Sequence, residues 1–433
     1  MAKKTEKNKY DAIIIGSGPG GATVARELTK KKKKVLILEW GGNAPIRGSF
    51  IQIAQFGVFP GRSLLFTDMT FMAMFRAIIT GGSSIMYYAT AFDPPLNMLK
   101  SYGVDISKEV EELKKELPIA PLSDELTGPM AKRIMESAQD LGHNWQKLNK
   151  FIYQDKCRIN CDKCNLGCPY GAKWNARMFM DEAVKNGAEL ITRAKVKKIL
   201  IDKNRAVGVE YKRFGITHRE EAPLIVVSAG GIGSPIILRA SGIKNAGYNF
   251  FIDPLICVMG TVNDIKGGKE VPMAAGCHFK DDGYLMTDMT IPNSVYMSFT
   301  AEVFRFDRIF SHSRTLQIMI KEKDNLRGRI TDWGGVRKSL TDSDKGKLAH
   351  GYERAKKILE RAGARNIFKT WYFAAHPGGT AKIKDVVDSN LKTQYDNLYV
   401  CDCSVLPEEW GMPPTLTILS LGKRLAKHLS GAK

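Results

Sequence analysis

What most constrains the fold of this chain is the run Gly16-Ser17-Gly18-Pro19-Gly20-Gly21, set directly behind the apolar stretch Ala12-Ile13-Ile14-Ile15. A short apolar run ending in glycines reads as a buried strand entering a tight turn, and Ala22–Leu28 then reads as a helix. In such a unit the first glycine permits the turn. The second lets the backbone approach a pyrophosphate, and the third lets helix and strand pack closely. The helix N-terminus offers free N–H groups and a positive dipole end to the phosphates. A second strand, Val35–Leu38, ends in Glu39, placed to accept hydrogen bonds from a ribose. Strand, turn, helix, second strand and terminal acid follow in order within about thirty residues, as a dinucleotide-binding unit requires. Gly16, Gly18, Gly20, Gly21 and Glu39 are the expected nucleotide-binding residues.

At 433 residues the chain has room for two domains, and 44% apolar with 25% charged residues is the composition of a soluble globular protein. The tail Met1–Lys9 is lysine-rich and lacks an apolar core, so no secretion signal is expected there. The longest apolar stretch, Phe66–Phe92, is broken by Asp68, Arg76 and Gly81-Gly82; it reads as core or as an apolar substrate entrance, not as a membrane span. The net charge of +20 is large. No nucleic-acid-binding module accompanies it, and the lysine run Lys30–Lys34 falls in the helix-to-strand turn, where it reads as a solvated surface. A basic surface also suits an acidic redox partner, and a cytoplasmic location is expected.

Further along, Val110–Leu117, Pro129–Leu141 and Met178–Lys185 carry helical spacing. Ala194–Ile201 and Ala206–Lys212 alternate as a hairpin, and Ile225–Val227 reads as another buried strand closed by glycines. Val295–Phe304 and Thr315–Ile320 are strand-like runs that predict an antiparallel sheet. Leu348–Ala362 reads as a helix. Strand Leu398–Cys401 and helix Leu416–Leu429 then return to an α/β pattern. The expected fold is therefore α/β, α+β overall: a Rossmann-like nucleotide domain built from 1–95, 190–250 and 365–433. A helical, cysteine-rich segment covers 96–189, and an antiparallel-sheet substrate domain covers 251–364.

These motifs, taken in order, resemble the glucose–methanol–choline (GMC) flavin oxidoreductases nearly end to end. The opening Asp11–Gly21 with Glu39 is similar to that family's FAD motif, and Gly81-Gly82-Ser83-Ser84 to its flavin-contacting turn. Val227–Pro235 with Ser241-Gly242-Ile243 resembles its central signature, His376-Pro377-Gly378-Gly379-Thr380 its His-x-x-Gly-Thr, and Asp402–Pro407 through Thr417 its closing motif. The C-terminal motif favours FAD over NAD. The resemblance implies oxidation of a CH–OH group by hydride transfer to FAD, with an alcohol, sugar or apolar molecule as substrate. It assigns flavin contacts to Gly81, Gly82, Ser83, Ser84, Ala229, Gly230, Asp402, Pro413 and Thr415. It also makes His376 the general base, since a neutral imidazole can take a hydroxyl proton. One departure stands out. The family places Asn or His two residues after the glycine of its closing motif, and Pro413 occupies that position here, with no side-chain donor or acceptor.

The second strong signal is Cys157-x₃-Cys161-x₂-Cys164-x₃-Cys168-Pro169. Four thiols within twelve residues, followed by proline, differ by one residue in the first gap from a bacterial ferredoxin run. An iron–sulfur cluster, 4Fe-4S on all four cysteines or 3Fe-4S on three, is the leading expectation. Zinc, and no metal with the thiols packed or locally bridged, remain the alternatives. Two further readings follow from a cluster. Reduced ferredoxin would drive FAD to reduce a C=C or carbonyl, or the protein would transfer electrons without catalysis.

Overall fold

The computed structural model describes residues 9–68 and 70–431. Of the tail Met1–Lys9, only Lys9 falls within the described residues.

The apolar runs found in the sequence assemble into one parallel sheet. Its five strands lie in the order Leu398–Val400, Ile225–Val227, Ala12–Ile15, Val35–Leu38 and Glu189–Ile191. Ile14 sits in register with Val226 on one side and Ile37 on the other. Ala12–Ile15 is buried along its whole length, since both the helix Pro19–Lys30 and the antiparallel strands Ala194–Asp202 and Arg205–Arg213 pack on its sheet. The helix Pro19–Lys30 packs between Ala176–Lys185 and the C-terminal helix Thr415–Leu429. Lys30–Lys34 is exposed in the following turn, as expected of solvated lysines.

The second body is a nine-stranded sheet, mostly antiparallel. Its centre runs Phe373–Ala374, Pro254–Thr261, Thr315–Glu322, Tyr284–Asp288. The helix Asp342–Arg361 packs across it, started by a capping box in which the Thr341 hydroxyl and the Asp344 carboxylate satisfy each other's backbone N–H groups.

Two expectations are corrected. Val295–Phe304 is not a strand: Asn293–Glu302 is a helix. Its run Val295-Tyr296-Met297 mimics strand composition, but Pro292 starts it as a helix and Tyr296 and Thr300, four apart, form its buried face. The sheets also cross the expected division of the chain. Leu64–Phe66, Ala73–Phe75, Arg365–Lys369 and Phe373–Ala374 belong to the larger sheet, and Glu189 begins a strand of the smaller one. Long-range pairing decides strand membership, and a single sequence carries no record of it.

Candidate active site

Each glycine of the opening turn has a separate structural reason. A Cβ on Gly16, whose φ is +97°, would lie 2.3 Å from Ser228 O; one on Gly20 would lie 1.9 Å from Cys401 O; one on Gly21 would lie 2.1 Å from Gly16 O. These three let strand, turn and helix close up. Gly18 differs, because a Cβ there meets nothing within 4 Å. Its face opens onto space at the N-terminus of helix Pro19–Lys30, where an anion would sit.

The second glycine turn comes to the same place. Gly81 N donates to Ser17 Oγ at 3.1 Å, and Ser17 Oγ donates to Glu39 Oε2 at 2.6 Å. A Cβ on Gly82 would lie 3.0 Å from Gly18 Cα. Ser84 Oγ accepts from Ala176 N and donates to Gly81 O, while Ser83 Oγ accepts from Ala77 N. Glu39 is buried and also accepts from Gly41 N at 2.6 Å; burial raises its pKa. Asp402 ties the far side. Its carboxylate accepts from Gly230 N at 2.8 Å, from Ser234 Oγ and from Ser404 N, next to Ala229 at the start of helix Gly230–Ala240. Thr415 opens the C-terminal helix and, like Pro413, is buried. The glycine-lined space at a helix N-terminus fits the FAD expected from the sequence.

His376 follows the strand Phe373–Ala374. Its loop is clasped to helix Gly230–Ala240: Thr380 Oγ1 donates to Gly231 O at 2.7 Å, and a Cβ on Gly231 would lie 2.0 Å from Pro377 O. Two side chains that the sequence reasoning missed meet His376. Asp253 Oδ2 lies 3.0 Å from its Nδ1, and Lys321 Nζ lies 3.3 Å from the same atom. The larger sheet places all three, because Pro254 pairs with Ala374 and Leu255 with Lys321 across neighbouring strands. Asp253 Oδ1 accepts from Gly411 N at 2.8 Å, so the closing motif reaches the histidine through Asp253. Burial raises the Asp253 pKa and lowers that of Lys321, each opposed by the other's charge. Burial and the Lys321 ammonium hold the His376 imidazole well below its ordinary range. It is therefore neutral at neutral pH and able to accept a proton. The available signal was a charge inside an apolar strand: Lys321 ends Ile318-Met319-Ile320, and Asp253 interrupts Phe250–Ile256. His278 and His312 lie away from this group; His312 Nε2 contacts Ile291 O.

All four loop cysteines, Cys157, Cys161, Cys164 and Cys168, line one small cavity with Lys173, Lys269 and Glu270. None is in a disulfide. Among the described residues no group of three His, Cys, Asp or Glu side chains is placed to hold a metal ion. Burial pushes the Cys157 thiol up to about 11 and the Cys164 thiol up to about 12. The loop is pinned to the end of the turn Gly81–Ile85 by Lys173, whose buried ammonium donates to Cys164 O, Ile85 O and Tyr87 O. Asn165 Nδ2 adds a bond to Met86 O. Ile85 ends the short helix Gly82–Ile85, so this lysine joins the two motifs directly.

The sequence matches the GMC oxidoreductase family in its N-terminal part over residues 10–255 and in its C-terminal part over 318–422. The chain belongs to that family, and it is an FAD-dependent oxidoreductase acting on CH–OH donors. It is 29% identical to an uncharacterised protein of Methanocaldococcus jannaschii over 97% of this chain and 100% of that one. It is 22% identical to a long-chain-alcohol oxidase of Arabidopsis thaliana over 98% of this chain and 68% of the relative. The fold superposes on pyridoxine 4-oxidase from Mesorbium loti with a TM-score of 0.77 at 16% identity, covering 98% of this chain and 100% of the other. No helix among the described residues is long and apolar enough to cross a membrane.

Proposed function

We propose that this protein oxidises an apolar alcohol, with His376 as general base. The observation that carries this reading is the contact of His376 Nδ1 with Asp253 on a loop clasped to the nucleotide domain. With Nδ1–H donated to the Asp253 carboxylate, Nε2 keeps its lone pair and takes the hydroxyl proton. Asp253 stabilises the imidazolium that results, while Lys321 balances the carboxylate charge. FAD, when bound, supplies the acceptor for the hydride leaving the same carbon. The pair Asp253 and Lys321 takes over the orienting work for which Pro413 has no functional group. Leu255, Met319, Tyr296 and Phe368 form a buried apolar cluster packed against Ala375, so the loop that carries His376 rests on a dry core. The name of the long-chain-alcohol oxidase relative supports an apolar substrate.

The cysteine loop is proposed to hold an iron–sulfur cluster through Cys157, Cys161, Cys164 and Cys168, which would carry electrons singly. Four free thiols around one cavity, beside the buried Lys150 and Lys173, support it, since the cations favour the thiolates that a cluster requires. Lys156, Arg158 and Lys269, exposed or lining the rim, suit an acidic carrier such as ferredoxin. The free cysteines fit a reducing, cytoplasmic setting. The substitution at Pro413 favours one second reading, ferredoxin-driven reduction of a C=C or carbonyl. Replacing His376 with Ala is expected to slow flavin reduction by alcohol ~10²–10⁴-fold with FAD retained; an unchanged rate would overturn the base assignment. Anaerobically purified protein is expected to contain about three or four irons per chain. Cys164→Ser is expected to lower that number, and stoichiometric zinc without iron would overturn the cluster.

A further inference from the structure

The described surface carries large aromatic side chains that none of the described residues covers. Trp333 is 98% exposed, Phe310 90% and Phe304 81%; Phe71, Phe306 and Trp371 are also exposed. Phe71, Trp371, Phe304 and the hairpin of Trp333 come from segments that touch one another. Trp371 N donates to Glu302 at the end of helix Asn293–Glu302, just before Phe304, and Trp371 Nε1 donates to Thr70 O, beside Phe71. The same loop meets the hairpin that carries Trp333: Thr67 bridges Val336, and Lys338 N donates to Asp68 Oδ1. A soluble surface seldom gathers this many large apolar groups without a partner.

Arginines cluster beside Trp333. In the hairpin Arg329–Ile330 and Val336–Arg337, Arg329 and Arg337 stand directly opposite one another, both exposed, with Trp333 in the connecting turn. Like charges facing across a strand pair are destabilising unless an anion lies between or above them. Arg327, also exposed, adds a third. Two acids here are ion-paired, Asp332 with Arg239 and Asp307 with Arg305 and Arg308, while Glu302 and Asp68 accept the backbone N–H groups of Trp371 and Lys338. A second copy of this chain would bring arginine to arginine on a protein of net charge +20. An anionic lipid headgroup layer instead answers both features, taking the tryptophans at its interface and the arginines at its phosphates.

We propose that this aromatic and arginine-rich face docks the protein reversibly on an anionic bilayer surface. The face lies close to the chemistry. Trp371 and His376 are five residues apart, at most about 18 Å of extended chain. Phe299 and Val303, next to Phe304, pack against the same apolar cluster as Phe373 and Ala375, next to His376. Docking does not depend on which substrate His376 serves.

The test is flotation of the full-length flavoprotein with phosphatidylcholine vesicles, with and without phosphatidylglycerol. Binding is expected with phosphatidylglycerol, weakened by salt, and near absent on phosphatidylcholine alone. The variant Arg329→Ser/Arg337→Ser is expected to lower the partition coefficient roughly thirtyfold, and Trp333→Ser to lower it further, both with unchanged FAD content and thermal midpoint. Equal binding to the two vesicle types, no binding to either, or full binding by the arginine variant would overturn the proposal. A dimer in solution that Trp333→Ser dissociates would also overturn it and assign the face to self-association.

Discussion

The Nδ1 atom of His376 lies 3.0 Å from Oδ2 of Asp253, and both residues hold left-handed backbone angles, with φ of 52° and 42°. Such angles cost about 1–3 kcal/mol each for residues other than glycine, and persist where the surroundings over-determine them. Here two sheet strands and the Gly411 N–H fix the pair. If Asp253 selects the tautomer, Asp253→Asn would present an amide donor to Nδ1 and leave the proton on Nε2. Flavin reduction by alcohol is expected to fall ~10²–10⁴-fold, with FAD content retained. Stopped-flow reduction under anaerobic conditions measures it.

Lys321 gives a pH signature. Its ammonium and the burial of the site both hold the His376 pKa down, so the acid limb of the rate profile lies below the ordinary imidazole range. Protonation of His376 removes the base, hence the rate falls as pH falls through that limb. Lys321→Met removes the repelling charge and is expected to move the limb toward higher pH. A limb that stays in place would mean that Lys321 does not act on the imidazole.

Gly18 separates cofactor binding from folding. Its φ is −68° and a Cβ meets nothing within 4 Å, so Gly18→Val is expected to fold. Its side chain would then occupy the space open to the pyrophosphate, and the protein should purify without flavin. Gly21→Val, by contrast, drives a Cβ onto Gly16 O and is expected to abolish folding.

Glu322 is fully buried, and neither carboxylate oxygen has a hydrogen-bond partner among the described residues. Burial, with Asp344 and Asp324 nearby, pushes its pKa up to about 9. The folded state therefore holds a proton that the unfolded state releases above about pH 4.5. Its contribution to stability is full below that pH and is lost as pH rises toward 9. Glu322→Gln removes this loss. Its advantage in urea midpoint over the parent protein is expected to be larger at pH 8 than at pH 5.

Much of the nucleotide half was legible because its signals are local. The turn Gly16–Gly21, the strand Val35–Leu38 and the helix at Thr415 each declare themselves within a dozen residues. The cysteine loop was legible as a spacing. What pairs with His376 was not, since Asp253 and Lys321 lie 123 and 55 residues away and meet it only through sheet register. Helix Asn293–Glu302 was misread because Val295, Tyr296 and Phe299 suit a strand equally well, and only tertiary packing arbitrates between them. Lys173 showed no pattern in the sequence, and its role appears only where Cys164 and Tyr87 are brought together.

The central claim is that an alcohol delivers its hydride in this site while His376 takes its proton. The most direct measurement is an anaerobic titration of the purified flavoprotein, following the visible absorbance of the flavin, with apolar primary alcohols in one series and reduced ferredoxin in another. Alcohols are expected to bleach the flavin in the parent protein and to fail, or act far more slowly, in His376→Ala. Bleaching by reduced ferredoxin with no response to any alcohol would contradict it, and would make the protein a reductase.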